Sequence, residues 1–155
     1  VLVVSDNFSA KGLNYANKSK IDNVVIKCSN KKVFEDRLFK LLRKNNVDLI
    51  CLAGFMKILS GSFIKKFYKP ILNIHPSLLP KYKGLNTFEK VIKNNEKKTG
   101  CTVHYVNEKL DSGKLIVQKS FFINEEDKIN TLKKKTQKLE YKAYSEAIIK
   151  IFRYN

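Results

Sequence analysis

Four short runs rich in β-branched and aliphatic residues, "VLVVS" (1–5), "NVVIKC" (23–28), "VDLICLAGF" (47–55) and "ILNIH" (71–75), restrict this chain to few architectures. Between the second and third, Val33, Phe34, Leu38, Leu41 and Leu42 recur at the steps of a helix over residues 31–45. Strands alternating with helices predict an α/β fold around a largely parallel sheet. The run at 47–53 is apolar without alternation, as expected of a strand covered on both faces. After residue 100 the pattern changes. "CTVHYV" (101–106) alternates, "NEKLDSGK" (107–114) reads as a turn and "LIVQKSFFI" (115–123) returns, which predicts an antiparallel hairpin. Over residues 127–152, Ile129, Leu132, Thr136, Leu139, Ala143, Ala147 and Ile151 stand at three- and four-residue steps, predicting a long amphipathic C-terminal helix. No repeat or linker divides the 155 residues, so one domain (1–155) with a proper core is expected.

Charge is the loudest bulk property. A formal net charge of +17 invites a nucleic-acid reading. However, of the 31 basic residues only Arg37, Arg43 and Arg153 are arginines, and the lysines are scattered over every segment. Abundant Lys, Asn and Ile match the drift of an AT-rich genome. A surface selected for nucleic acid would gather Arg and aromatics in one patch, so no nucleic-acid partner is expected. No stretch reaches the length of a membrane span, and no membrane association is expected. Cys28, Cys51 and Cys101 stand far apart without a C-x-x-C pair. Cys51 and Cys101 lie in apolar runs and read as reduced, buried, structural residues of a cytoplasmic protein.

The segment "NIHPSLLP" (73–80) concentrates the chemistry. In an extended 71–75, Leu72 and Ile74 share one face while Asn73 and His75 share the other. Pro76 and Pro80 prevent the strand from continuing. Ligands of open α/β sheets sit beyond the carboxyl ends of strands. His75, one of two histidines, lies at such an end. So does Gly54, which permits close backbone approach. Each residue also has a plainer reading. A His before a Pro is commonly a strand terminus, and Asp111 in D-S-G is a natural turn residue. His104, alternating with Thr102 and Val106, fits a supporting strand position at least as well as a catalytic one. Gln137 and Glu140 are three apart on the last helix; Glu140 falls in the apolar seam, where it needs a polar partner or must reach solvent.

"LAGFMKILS" (52–60), "LNIHPSLLPKYKGLNT" (72–87), "GCTVHYVNEKLDSGKLIVQ" (100–118) and "KTQKLEY" (135–141) together resemble successive blocks of the phosphoribosylglycinamide formyltransferases. The resemblance runs from Val1 to about Phe152. It implies a Rossmann-like formyltransferase fold and a cytoplasmic enzyme of purine biosynthesis and one-carbon metabolism. Its members transfer a formyl group from 10-formyltetrahydrofolate to the amine of glycinamide ribonucleotide, with no metal. By resemblance, Asn73 bonds the formyl oxygen, His75 polarises that carbonyl and Asp111 orients His75. Met56, Lys57 and Leu59, with Val106, Asn107, Glu108 and Asp111, resemble the walls of the folate pocket. Gly54, Gln137 and Glu140 resemble residues that hold the ribonucleotide.

The resemblance departs at two places. Phe88 stands where members usually carry a His; with Val91 and Ile92 it forms an apolar helical stripe, and Asn86 with Glu89 resembles a helix cap. The family's opening strand and glycine-rich phosphate loop precede anything in this sequence, so an N-terminally truncated copy, poorly stable and inactive alone, is expected. Formyltetrahydrofolate deformylases share the Asn, His and Asp but usually read H-x-S-F-L-P and then G-A-K-P. Methionyl-tRNA formyltransferases typically read R-G-A-A-P and add a tRNA-binding barrel. "HPSLLP" and "KGLNT" favour the transformylases over both. A basic binding module gives no reason for Asn73, His75 and Asp111 to coincide.

Overall fold

The computed structural model describes residues 1–153. The described chain divides into two compact units, Val1–Asp48 with Lys65–Tyr68, and Leu49–Ile64 with Lys69 onward. The first contains β1 (Leu2–Ser5), α1 (Lys11–Lys18), β2 (Asp22–Val25) and α2 (Lys31–Lys44). Its strands pair in parallel, Val3 opposite Asn23, as their connection through a helix requires. In α2, Asn30 caps the helix by accepting the Val33 N–H (3.1 Å), and Phe34, Leu38 and Leu42 are buried. Val33 is exposed, on the outer side of the predicted stripe.

The second unit carries the four-stranded sheet β3-β4-β5-β6. Its strands are β3 (Ile50–Leu52), β4 (Ile71–His75), β5 (Lys98–Tyr105) and β6 (Leu115–Phe122). β3 and β4 are parallel, whereas β4/β5 and β5/β6 are antiparallel. The expected mixture of parallel strands followed by an antiparallel hairpin is therefore present. α4 (Thr87–Lys93) and α5 (Ile129–Arg153) complete the unit, while α3 (Gly61–Phe67) begins in it and ends in the first. α5 lays Ala143, Ala147 and Ile151 against Leu72, Ile74, Val103 and Val117 of the sheet. A second cluster joins Phe88 and Val91 of α4 to Leu132 of α5. Small alanines at the contact let the helix lie close to the sheet. Burying each large aliphatic partner contributes roughly 1.5–3 kcal/mol.

Three local expectations are corrected. The apolar run at 47–53 yields a strand of only three residues, and it is an edge strand, so Cys51 is exposed while Cys101 is fully buried. Asn86 precedes α4 in the left-handed region (φ +58°) and makes no side-chain cap bond, so it is not the expected cap. In the stripe on α4, Phe88 and Val91 are buried, but Ile92 is exposed.

Candidate active site

Strand alternation places Leu72 and Ile74 toward α5 and leaves Asn73 and His75 on the opposite face. The antiparallel register then sets His104 directly across from Asn73, and Thr102 across from His75. On β6 one residue, Ile116, lies between the partners of Val103 and His104 and produces a bulge. Such an insertion re-aims the neighbouring side chains and strengthens the twist. After β5 the turn 107–114 returns Asp111 to the same place, and Asp111 adopts φ +45°.

Three side chains thereby converge. His75 Nε2–H donates to the Tyr82 carbonyl at 2.8 Å, and its Nδ1 lies 3.3 Å from Asp111 Oδ2. A carbonyl only accepts, so the proton on Nε2 is fixed by that partner. The same Asp111 oxygen accepts the Gly84 N–H at 2.8 Å. His104 Nδ1–H donates to the Tyr105 carbonyl at 2.8 Å, which turns Nε2 toward Asn73 Nδ2 at 3.4 Å and Asp111 Oδ1 at 3.6 Å. His75, His104 and Asp111 are all buried. Burial pushes the His104 pKa below its ordinary value, outweighing the Tyr105 carbonyl and the Asp111 charge that pull it up. His104 is thus a neutral acceptor for one N–H of Asn73, and its approach to Asp111 is not an ion pair. The second N–H of the Asn73 amide is left for a ligand.

The loop after β4 is held by a buried network. Thr102 Oγ1 donates to the Ser77 carbonyl (2.7 Å) and accepts the Leu79 N–H (3.1 Å). Gln118 Nε2 donates to the Leu79 carbonyl (3.0 Å) and to Thr102 Oγ1 (2.9 Å). Tyr144 on α5 shares its O–H between the carbonyls of Leu52 (2.8 Å) and Leu72 (3.2 Å), tying the end of β3 to the first half of β4.

Backbone strain marks the same place. Lys20, Asn46, Tyr68 and Asn95 have positive φ just beyond the ends of α1 to α4, where helices commonly finish that way. The other described residues with positive φ are Gly54, Tyr82, Gly84, Asn86 and Asp111. Gly54, Gly84, Asn86 and Asp111 line one cavity, and Tyr82 bonds His75 within it. Such residues concentrate at functional sites, each costing of order 1–3 kcal/mol when it is not glycine.

The cavity measures about 610 Å³ and lies wholly in the second unit. Its size suits a drug-sized organic ligand. Asn73, His75 and Asp111 form part of the wall with Gly54, and the expected folate-pocket residues Met56, Lys57, Leu59, Val106 and Asn107 are present as well. Glu140 reaches it from α5, and burial pushes its carboxyl pKa up. Two expected residues lie elsewhere. Gln137 is exposed outside the lining, and the Glu108 carboxylate packs over the α-carbon of Gly61. Phe88, Leu85, Phe55 and Lys133 are further lining residues. Phe88 gives the wall the apolar surface expected of its stripe. The roles of His104, Tyr82 and Gly84 depend on register and backbone conformation; the sequence signals for them are the strand alternation of His104 and their place within the blocks 72–87 and 100–118 that resemble the family.

A family model described as formyl transferase matches residues 1–148. The chain is 41% identical over 145 residues to phosphoribosylglycinamide formyltransferase of Haemophilus influenzae, covering 92% of this chain and 68% of that protein. It is 40% identical over 151 residues to the trifunctional purine biosynthetic protein adenosine-3 of Gallus gallus, covering 96% of this chain but only 15% of that protein's length. Among solved structures, phosphoribosylglycinamide formyltransferase from Brucella melitensis superposes with TM-score 0.90 at 38% identity, covering 98% of this chain and 79% of the other. With its polar residues gathered at the end of β4, the chain belongs to the formyl transferase family, on its phosphoribosylglycinamide formyltransferase branch.

Proposed function

We propose that this chain transfers the formyl group of 10-formyltetrahydrofolate to the primary amine of glycinamide ribonucleotide, a step of purine biosynthesis, and that it does so as one formyltransferase domain in the cytoplasm. The reading is supported chiefly by the convergence of Asn73, His75 and Asp111 on one cavity wall. Names borne by the similar proteins supply the substrate class. A folate-type donor is supported by the cavity's size and by a lining that sets Phe55, Met56, Ile58 and Leu85 with Asn73, His75 and Asp111.

The chemistry follows from what these groups do. The amine nitrogen attacks the formyl carbon, a C–N bond forms and the carbonyl electrons move to oxygen. Asn73 offers that oxygen the N–H not bound to His104; a fixed donor of this kind is worth ~2.7–4 kcal/mol of barrier. The amine must then lose a proton and the leaving nitrogen must gain one as the old C–N bond breaks. With His75 Nε2 held by the Tyr82 carbonyl, the relay would run through Nδ1 and the Asp111 carboxylate it faces, by way of water, for about 10²–10⁴ in rate. Asp111 holds the ring from one side and, through Gly84, holds the loop that carries Tyr82. Glu140, which lines the cavity, would accept hydrogen bonds from ribose hydroxyls, and these would relieve its desolvation.

The test offers the purified chain 10-formyltetrahydrofolate with glycinamide ribonucleotide, with water alone, or with methionyl-tRNA. Formyl transfer only to the ribonucleotide amine is expected. Loss of formyl to water at the same rate without the amine would instead assign a deformylase, and transfer to the tRNA would assign that branch.

A further inference from the structure

The carbonyl that fixes the His75 ring belongs to a strained residue, Tyr82, with φ +56°. A bulky L residue holds that conformation only where its surroundings overdetermine it. One restraint is already part of the site, because Gly84, two residues on, donates its N–H to Asp111. Ser77 Oγ–H, donating to the Lys81 carbonyl at 2.6 Å, steadies the preceding residue, and a further restraint comes from outside the cavity. The Tyr82 hydroxyl donates to Glu96 Oε1 at 2.7 Å, and Lys81 Nζ reaches the same oxygen at 2.8 Å. Glu96 lies just past α4, and its own N–H is bonded to the Val91 carbonyl at 3.1 Å. The Tyr82 ring packs beside Phe88, Val91 and Leu132.

We propose that Glu96 is a positioning residue for His75. It grips the Tyr82 hydroxyl, keeps the Tyr82 backbone left-handed and so keeps its carbonyl on Nε2 of the catalytic ring. The assignment rests on the formyl-transfer reading for its catalytic consequence, but its structural content does not. The hydrogen bonds from Lys81 and Tyr82 hold the Glu96 carboxyl below the usual carboxylate range, so the grip persists at neutral pH. Without it, Tyr82 relaxes toward a negative φ, its carbonyl swings off Nε2 and the ring proton is left to Nδ1, which faces the Asp111 carboxylate.

The chain has only two histidines, so ring nitrogens can be followed individually by ¹⁵N NMR of histidine-labelled protein. The wild type should show His75 protonated at Nε2 and His104 protonated at Nδ1. In Glu96→Ala and in Tyr82→Phe, the His75 Nε2 signal should move toward that of an unprotonated nitrogen, with the proton at Nδ1 beside Asp111, while the His104 signals stay in place. Glu96→Gln keeps an acceptor for the hydroxyl and should restore the wild-type His75 spectrum. In the transfer assay, kcat should fall about tenfold in the Ala and Phe variants, less than the ~10² of a full ångström of misplacement, with KM within about twofold. Unchanged His75 resonances in both folded variants would overturn the assignment, as would equal movement of His104, which signals general loosening. A wild-type chain that transfers no formyl group would defeat the functional reading instead, and the ring spectra would still decide the role of Glu96.

Discussion

Replacing Gly113 by alanine puts a methyl group where the protein has no room for one. A Cβ at this position would stand 1.7 Å from the Tyr105 oxygen and 2.7 Å from its carbonyl carbon, both backbone atoms. Separations under 3.0 Å are essentially never tolerated, so the two segments must part by more than an ångström. The displaced carbonyl is the acceptor for His104 Nδ1–H, and the displaced turn carries Asp111, two residues before the substitution. Overpacking of this kind costs about 1–3 kcal/mol. At roughly 2–4 °C per kcal/mol for a chain of this size, the melting midpoint should drop by about 2–12 °C. Catalysis should suffer more than stability, because an ångström at a reacting group costs ~10² in rate. Calorimetry and steady-state transfer rates on Gly113→Ala measure both. A variant with the wild-type midpoint and wild-type kcat would refute the idea that glycine in the D-S-G turn is required by the close approach of Tyr105.

Asn73→Ala should lower kcat by about 10²–10³ with little change in folding, since it removes a donor aimed at the developing oxyanion. Asp111→Asn should lower kcat by about 10²-fold and change its pH profile, because the ring loses its charged partner while Gly84 keeps an acceptor. For His104, whose pKa is depressed in the folded state, the unfolded chain takes up the proton first as pH falls. Its share of stability is therefore whole above the unfolded value of about 6.5 and declines as pH drops toward the lower folded value. Midpoints measured from pH 8 to 5 should show this slope, and His104→Gln should flatten it. Glu140 has the opposite sign: its raised folded pKa favours the folded chain at low pH and is a liability at neutrality. Glu140→Gln should accordingly raise the midpoint at pH 7 and raise KM for the ribonucleotide, which binding and melting experiments check together.

Local pattern carried much of this account. Alternation in "ILNIH" set Asn73 and His75 on one face, and the three- and four-residue steps of α5 named the residues that pack on the sheet. What sequence spacing does not contain is register. His104 meets Asn73 because β5 pairs with β4 at that offset and because Ile116 inserts a bulge behind it. Nor does apolar character show which strand lies at an edge, and so Cys51 is exposed in a run that reads as covered. Left-handed backbone at Tyr82 is equally invisible in composition, since a bulky residue seldom adopts it, and residue type alone does not say that Asn86 and Asp111 use the left-handed region they tolerate. Asn86 shows the consequence: its residue type suits a cap, but its left-handed backbone goes with no cap bond.

The most direct test of the central claim is the initial rate of formyl transfer from 10-formyltetrahydrofolate to glycinamide ribonucleotide, measured for the wild type and for His75→Ala at matched folded concentration. Amine-dependent transfer by the wild type and a loss of about 10²–10⁴ in the variant are expected. Equal rates in the two proteins would contradict it, since the chemistry would then not pass through the ring held at the end of β4.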